Sequence, residues 1–408
     1  MTGQTICAVI GANFGDEGKG LAVDHLCSGL ENTLVVKHNG GAQAGHTVET
    51  EDKRFVFHQL SSGSFRRADT LLAETFFPDL YKLCGEVSDF RALSGHSPVI
   101  YADVNARITI TDDVLLNMAV ETSRGKDRHG SCGMGVYEAV LRSEAGFGIT
   151  VGRLVGMTEA ELASELARIR REYVLPRLDR LAPIAAGEYT ELLHDGNVLM
   201  NTAAGILKGA ELITPVSGLR ELSQKMEGIV FEGAQGLLLD WNYERYAPHL
   251  TASRTGLHNP LKLCSSSGLT LDRAIYVMRS YVTRHGAGPL PHECSPEAIG
   301  KLSPDRTNTP NEWQGGLRFG LYPSPEELAG AVLDDLSTWQ GSAGLFITHL
   351  NETNGIVRFY GRDIPASELA YEPCFKSRID SVFCSYSPYG AVPALSIRAL
   401  ARSLRKHI

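Results

Sequence analysis

The chain has 408 residues, 43% of them apolar and 21% charged, an ordinary globular composition that excludes a disordered tail, a fibre and a small disulfide-stapled protein. Its 39 basic and 47 acidic side chains give a net charge of −8, so no general attraction to nucleic acid or to an anionic membrane is expected. Any phosphate must be held by a local site.

Eight cysteines are scattered without a CxxC pair, which fits reduced thiols in a cytoplasmic protein. The opening segment lacks the basic-then-apolar pattern of an export signal, and no stretch is long enough to cross a bilayer, so a soluble protein with no membrane partner is expected.

In chain order, ICAVI at 6–10 predicts a first strand. GANFGDEGKG follows at 11–20 and leads into a helix from Leu21, an arrangement that aims backbone N–H groups at a phosphate beside a lysine. It departs from the standard P-loop, because Asn13 stands where glycine is required and Gly20 where a hydroxyl is. Asp16 and Glu17 would repel phosphate inside such a loop unless one holds a metal or a substrate proton. TLVVK at 33–37 predicts the second strand and runs into a loop over 38–47 that is rich in glycine and ends in a histidine suited to an anionic oxygen.

Thr158 and Glu161 read as a capping box, and 151–225 as a helix-rich insertion. GIVFEG at 228–233 predicts a strand that delivers Gln235, an amide able to donate and accept, through glycines. Further strands are expected at 274–282 and 344–350, a polar mobile loop at about 300–320, and helices from Ser324 and from Pro393. Near-continuous apolar strands alternating with helices predict an α/β fold with a mostly parallel central sheet flanked by helices, as one domain over 1–408.

These loops together resemble the adenylosuccinate synthetase family, whose enzymes join L-aspartate to IMP with cleavage of GTP. The matching stretches include GANFGDEGKGLAVDHL, VVKHNGGAQAGHTV, HQLSSGSF at 58–65, HGSCGMG at 129–135, FEGAQGLLLD, YAPHLTASR at 246–254 and TRHGAGPLPHE at 283–293. The resemblance implies a fold related to P-loop NTPases and a ligase that phosphorylates O6 of a 6-oxopurine so that an amine can attack C6. It implies that Asp16 takes the N1 proton and, with the Gly45 carbonyl, binds Mg²⁺. His46 would meet the transferred phosphoryl group, and Gln235 the purine. Lys19, with Gly15, Glu17, Gly18, Gly20, Gly45 and Thr47, would surround the triphosphate. Gln43, Ser131, Cys132, Thr251 and His285 would contact the purine nucleotide, with Arg142 reaching its phosphate across a homodimer interface.

Departures leave the substrates open. The family's guanine-reading aspartate is replaced by Asn351, so ATP competes with GTP as the donor. The arginine-rich loop that grips aspartate is reduced to Thr307, Thr309 and Arg318, with Arg306 nearby. These changes, with TASR at 251–254, also resemble the phage-type branch that makes 2-aminoadenylosuccinate from dGMP, although Asp16 is retained where that branch typically carries serine. The acceptor is therefore IMP or (d)GMP. A nucleotide-binding regulator without ligase activity is the competing class.

Overall fold

The computed structural model describes residues 4–125, 131–181, 187–302 and 315–387. Nine strands form its central sheet: β1 (Thr5–Gly11), β2 (Thr33–Lys37), β3 (Asp69–Leu72), β4 (Ile100–Asp103), β5 (Thr214–Val216), β6 (Gly228–Glu232), β7 (Arg273–Arg279), β8 (Ser342–Thr348) and β9 (Ile379–Cys384). Their order across the sheet is β9-β8-β7-β1-β6-β2-β3-β4-β5, and every pairing is parallel. Loops leaving β1, β2, β6, β7 and β8 therefore converge at one edge, where open α/β sheets bind ligands.

Both faces of the sheet are covered, which explains the near-continuous apolar strands. In β1, Ile6, Ala8 and Ile10 join one apolar cluster while Cys7 and Val9 join another on the opposite face. The second face is closed by α1 (Lys19–Cys27), whose Ala22, Val23, Leu26 and Cys27 pack on it. Burying one leucine- or valine-sized side chain contributes about 1.5–3 kcal/mol, so these central strands form a stiff platform for their loops.

The capping box at Thr158–Glu161 forms reciprocally: Glu161 N–H donates to the Thr158 hydroxyl at 3.3 Å and Thr158 N–H donates to the Glu161 carboxylate at 2.8 Å. The helix at Pro325–Leu336 likewise begins with Ser324 accepting from Glu327 N–H. Within the helix-rich stretch after residue 151, helices at Glu159–Ile169 and Gly196–Ala210 bury Leu162, Leu166, Ala203 and Ile206 in a third cluster. The same stretch also supplies β5, which pairs with β4 at the sheet edge, so it is not purely helical.

The strand expected over 274–282 breaks at Ser280. Ser280 N–H donates to the Thr348 carbonyl and its hydroxyl to the His349 carbonyl, which ends β7. Val282–Arg284 then joins a small antiparallel sheet with Arg318–Gly320. Arg318–Gly320 is thus strand rather than loop, whereas most of the expected 300–320 loop and the helix from Pro393 lie outside the described residues.

Candidate active site

A cleft of about 1040 Å³ opens at the strand ends. Asp16, Lys19, Gln43, His46, Ser131, Cys132, Gln235, Thr251 and His285 all line it, as do Gly15, Gly18, Gly20, Gly45 and Thr47. Residues of the loops after β1, β2 and β6 thus line one cleft.

The first loop is propped from within. Glu17 is buried, and its carboxylate accepts from the N–H groups of Asn13 at 3.1 Å and Gly15 at 2.8 Å while pairing with the Lys19 ammonium at 2.7 Å. It lies beneath the loop and is absent from the cleft wall, so the repulsion expected of it is turned inward as a brace. The backbone fits this arrangement only with glycine at two close approaches: a Cβ on Gly11 would meet the Glu17 carboxylate at 2.5 Å, and one on Gly236 at 2.6 Å. Gly15 and Gly18 have φ near 90°, and Asp16 itself adopts φ 58. Burial raises the Asp16 carboxyl above its usual range, against the lowering influence of His285, Arg279 and Lys19.

His46 begins the hairpin His46–Glu49/Arg54–Phe57. Its Nδ1 lies 2.5 Å from the carboxylate of Glu232, the last residue of β6. Ser62 donates its hydroxyl to the same carboxylate at 2.5 Å and its N–H at 3.1 Å, and Lys37, ending β2, pairs with it at 3.3 Å. Burial pulls His46 down to about 4, with Lys37 and Lys19 adding to that and Glu232 opposing it. Burial pushes Glu232 the other way, but Lys37, His46 and Ser62 together hold it below the ordinary carboxylate range. The imidazole is therefore neutral and oriented, with Nδ1–H on Glu232. Lys37 and Glu232 were not singled out from the sequence, yet each is a charge ending an otherwise apolar strand, a signal that such a group is buried with a partner.

Gln235 is held at φ 63, an uncommon conformation for a side chain of this kind, near Gly15. Both amide atoms of Gln43 are buried without a protein partner. Ser131 donates to Asn117 at 2.7 Å. Asn351 lies off the cleft wall on the turn after β8, its side-chain amide oxygen buried and unpartnered.

Two expected ligands are placed elsewhere. Arg142 is fully buried within the chain; its guanidinium donates to both carboxylate oxygens of Asp113 and to the carbonyls of Ile108 and Phe147, and it does not line the cleft. Arg318 grips Glu293 and donates to the carbonyls of Gly286 and Gly288, which makes it a brace for that loop rather than a cleft residue. In both, the fork of donors is satisfied inside the chain, which a sequence match does not reveal. Thr307 and Thr309 lie outside the described residues. Arg279 and Arg284 line the cleft instead.

No helix among the described residues is long and apolar enough to cross a membrane, and all eight cysteines are free. Residues 8–309 match the adenylosuccinate synthetase family model. The adenylosuccinate synthetase of Microcystis aeruginosa is 32% identical over 309 residues, covering 73% of this chain and 64% of that protein. That of Gloeothece citriformis is 30% identical over 306 residues with the same coverage. The match thus spans less than two thirds of these relatives. The solved structure of fully ligated adenylosuccinate synthetase from Plasmodium falciparum superposes with a TM-score of 0.64 at 20% identity, covering 85% of this chain and 77% of that one. The cyanophage S-2L succinoaminodeoxyadenylate synthetase, bound to dGMP and dATP as an energy donor, gives 0.59 at 16% identity and covers 99% of each chain. Sequence match, parallel sheet and converging loops agree, and the chain belongs to the adenylosuccinate synthetase family.

Proposed function

We propose that the chain is a Mg²⁺-dependent, nucleoside triphosphate-driven C–N ligase that phosphorylates O6 of a 6-oxopurine mononucleotide and adds L-aspartate. The observation that carries this reading is the meeting of Asp16, Lys19, His46 and Gln235 in one cleft. Purine N1–H passes its proton to the Asp16 carboxylate as O6 takes the γ-phosphoryl group and the nucleoside diphosphate leaves. The aspartate amine then attacks C6, inorganic phosphate departs with O6, and the amine's proton is released to solvent.

Each side chain has a defined part. Asp16, with a carboxyl raised by burial, is a better proton acceptor than an ordinary aspartate. Lys19 and the loop amides hold the phosphates, and Gln235 positions the base. His46 gains a proton as the polyanion enters, because that charge reinforces Glu232 against burial; Nε2–H then faces the moving phosphoryl group. The donors suit Mg²⁺: the Asp16 carboxylate and Gly45 backbone face one cleft, a small set of hard oxygens that leaves other positions to water and phosphate. The ion would neutralise charge on the transferred group. One catalytic domain acting in a homodimer in the cytoplasm completes the proposal. Arg142 supplies no argument for that dimer.

A coupled phosphate-release assay tests this, with ATP and GTP crossed against IMP, GMP and dGMP, each with and without aspartate. Release that needs both purine nucleotide and aspartate, and that is abolished in folded Asp16→Ala and His46→Ala variants, is expected. Near-normal rates in both variants would remove the mechanism. Triphosphate binding with no acceptor-dependent release would favour the regulator. The second reading, 2-aminoadenylosuccinate formation from (d)GMP with ATP, is favoured by the fit over 99% of the phage enzyme, whose bound nucleotides are of those kinds.

A further inference from the structure

Asp16 presents its carboxylate from a stretch of backbone with little stiffness of its own. Gly15 and Gly18 adopt φ 90 and φ 93, and Asp16 itself φ 58, a conformation that an L side chain disfavours and that flanking glycines do nothing to enforce. A hold from outside the loop is needed.

The ends of β7 and β8 supply it. Arg279 and Thr348, the last residues of these two strands, are partners in the sheet register. Arg279 Nε–H donates to the Asp16 backbone carbonyl at 2.6 Å, and the Thr348 hydroxyl donates to the next carbonyl, that of Glu17, at 2.7 Å. A planar trans peptide sets its C=O and N–H in opposite directions, so fixing these two carbonyls also fixes the N–H groups of Glu17 and Gly18. Of the two anchors, the arginine acts on the peptide that sets ψ of Asp16.

The guanidinium is itself held from behind. Arg279 Nη1–H donates to the Tyr281 phenol oxygen at 3.2 Å, and the Tyr281 hydroxyl donates to the Glu352 carboxylate at 2.6 Å. Arginine cannot accept a hydrogen bond, so the phenol accepts from Arg279 and gives its single proton to the carboxylate; the chain of bonds runs one way. Burial pushes the Tyr281 phenol up, which keeps that proton in place. Tyr322 ties the same backbone to the loop, with its hydroxyl 2.9 Å from the Arg279 carbonyl and 3.1 Å from that of Tyr281 while accepting from the Asn13 amide at 3.3 Å. Arg279, Tyr281, Tyr322 and Glu352 are all buried, so the assembly is a fixed part of the wall.

We propose that Arg279, held by Tyr281 and Glu352, is a positioning residue that aims the Asp16 carboxylate by gripping its backbone carbonyl. The task of the aimed carboxylate rests on the ligase reading above; the grip does not. Arg279 acts through Asp16 and takes no part in bond making.

Steady-state kinetics and crystal structures of the parent, Arg279→Met, Arg279→Lys and Tyr281→Phe test this. In Arg279→Met, kcat should fall on the order of 10²-fold, the scale set by misplacing a reacting group by an ångström, with KM for the triphosphate and for the purine nucleotide within about twofold of the parent. Arg279→Lys keeps a donor for the Asp16 carbonyl and should recover about tenfold of that loss; Tyr281→Phe should lose about tenfold in kcat, the worth of one neutral hydrogen bond. A raised KM for the triphosphate at unchanged kcat in Arg279→Met would overturn the proposal, since Arg279 would then be binding phosphate directly. Should Arg279→Met fail to fold, Tyr281→Phe decides: a parent-like kcat there refutes the proposal. If the parent itself shows no acceptor-dependent phosphate release, the ligase reading fails, and the structures still decide this one. The Asp16–Glu17 peptide should turn in Arg279→Met and Asp16 should leave positive φ; an unmoved peptide refutes the grip.

Discussion

Replacing Glu232 by Gln keeps its shape and removes its charge, which makes it the sharpest probe of the buried cluster behind His46. Glu232 compensates Lys37 at 3.3 Å, and the Lys37 ammonium has no hydrogen-bonding partner besides. At an effective dielectric near 20, two unit charges at the 3.3 Å separation attract by about 5 kcal/mol, and breaking one side of a buried pair costs about 3–5 kcal/mol. For 408 residues unfolding as a unit, a loss of about 4 kcal/mol lowers Tm by about 5 °C. Adding Lys37→Met to Glu232→Gln should recover most of that loss, since the orphaned cation is gone. Activity should not return, because His46 still lacks its anchor: kcat falls on the order of 10²-fold with KM for the purine little changed. Thermal melts of the parent, both single variants and the double variant, with steady-state kinetics on each, check both halves. Glu232→Gln within about 1 kcal/mol of the parent, or a double variant as damaged as the single, would refute the account of the cluster.

His38 is buried with both ring nitrogens unpartnered, and burial, aided by Lys37 and opposed by Glu232, pulls it down to about 3. The unfolded chain takes up this proton as pH falls through about 6.5 while the native state refuses it, so the contribution is full above that pH and lost below it; by about pH 5 the parent should have lost about 2 kcal/mol more than His38→Leu, read from urea titrations. A Cβ on Gly236 would strike the Asn13 carbonyl and the Glu17 carboxylate, so Gly236→Ala should weaken triphosphate binding at least about tenfold in calorimetry while circular dichroism stays native. Arg142→Met should lose about 3–5 kcal/mol in urea, because Asp113 and two carbonyls are left without their donor; a stable variant whose activity returns on mixing with His46→Ala subunits would instead restore the interface role.

What could be read from the sequence was what lies close together in it. Asp16 and Gln235 sit on glycine-rich turns directly after apolar strands, Lys19 opens the helix that follows the first turn, and His46 ends the glycine-rich loop after β2; parallel pairing then brings these segments to one edge. The strands β3, β4 and β5 carry four, four and three residues, too few for a hydrophobic pattern to stand out. Arg142 and Arg318 matched a ligand role by residue type, but an arginine is equally able to spend its donors on a buried aspartate or a loop carbonyl. That choice depends on residues distant in the chain, such as Asp113, and on backbone groups that have no sequence signature. The break at Ser280 follows from contacts with β8, another long-range partner.

The ion pair under the first loop also bears on discrimination among anions. Lys19 already holds a carboxylate of its own chain, so an incoming phosphate must outcompete a resident rival whose local concentration is set by covalent attachment. A singly or doubly charged visitor gains little by that exchange, whereas a polyphosphate engages the amides and the lysine together. Self-occupation of this kind tilts the pocket against free inorganic phosphate, the species that each turnover would release beside it.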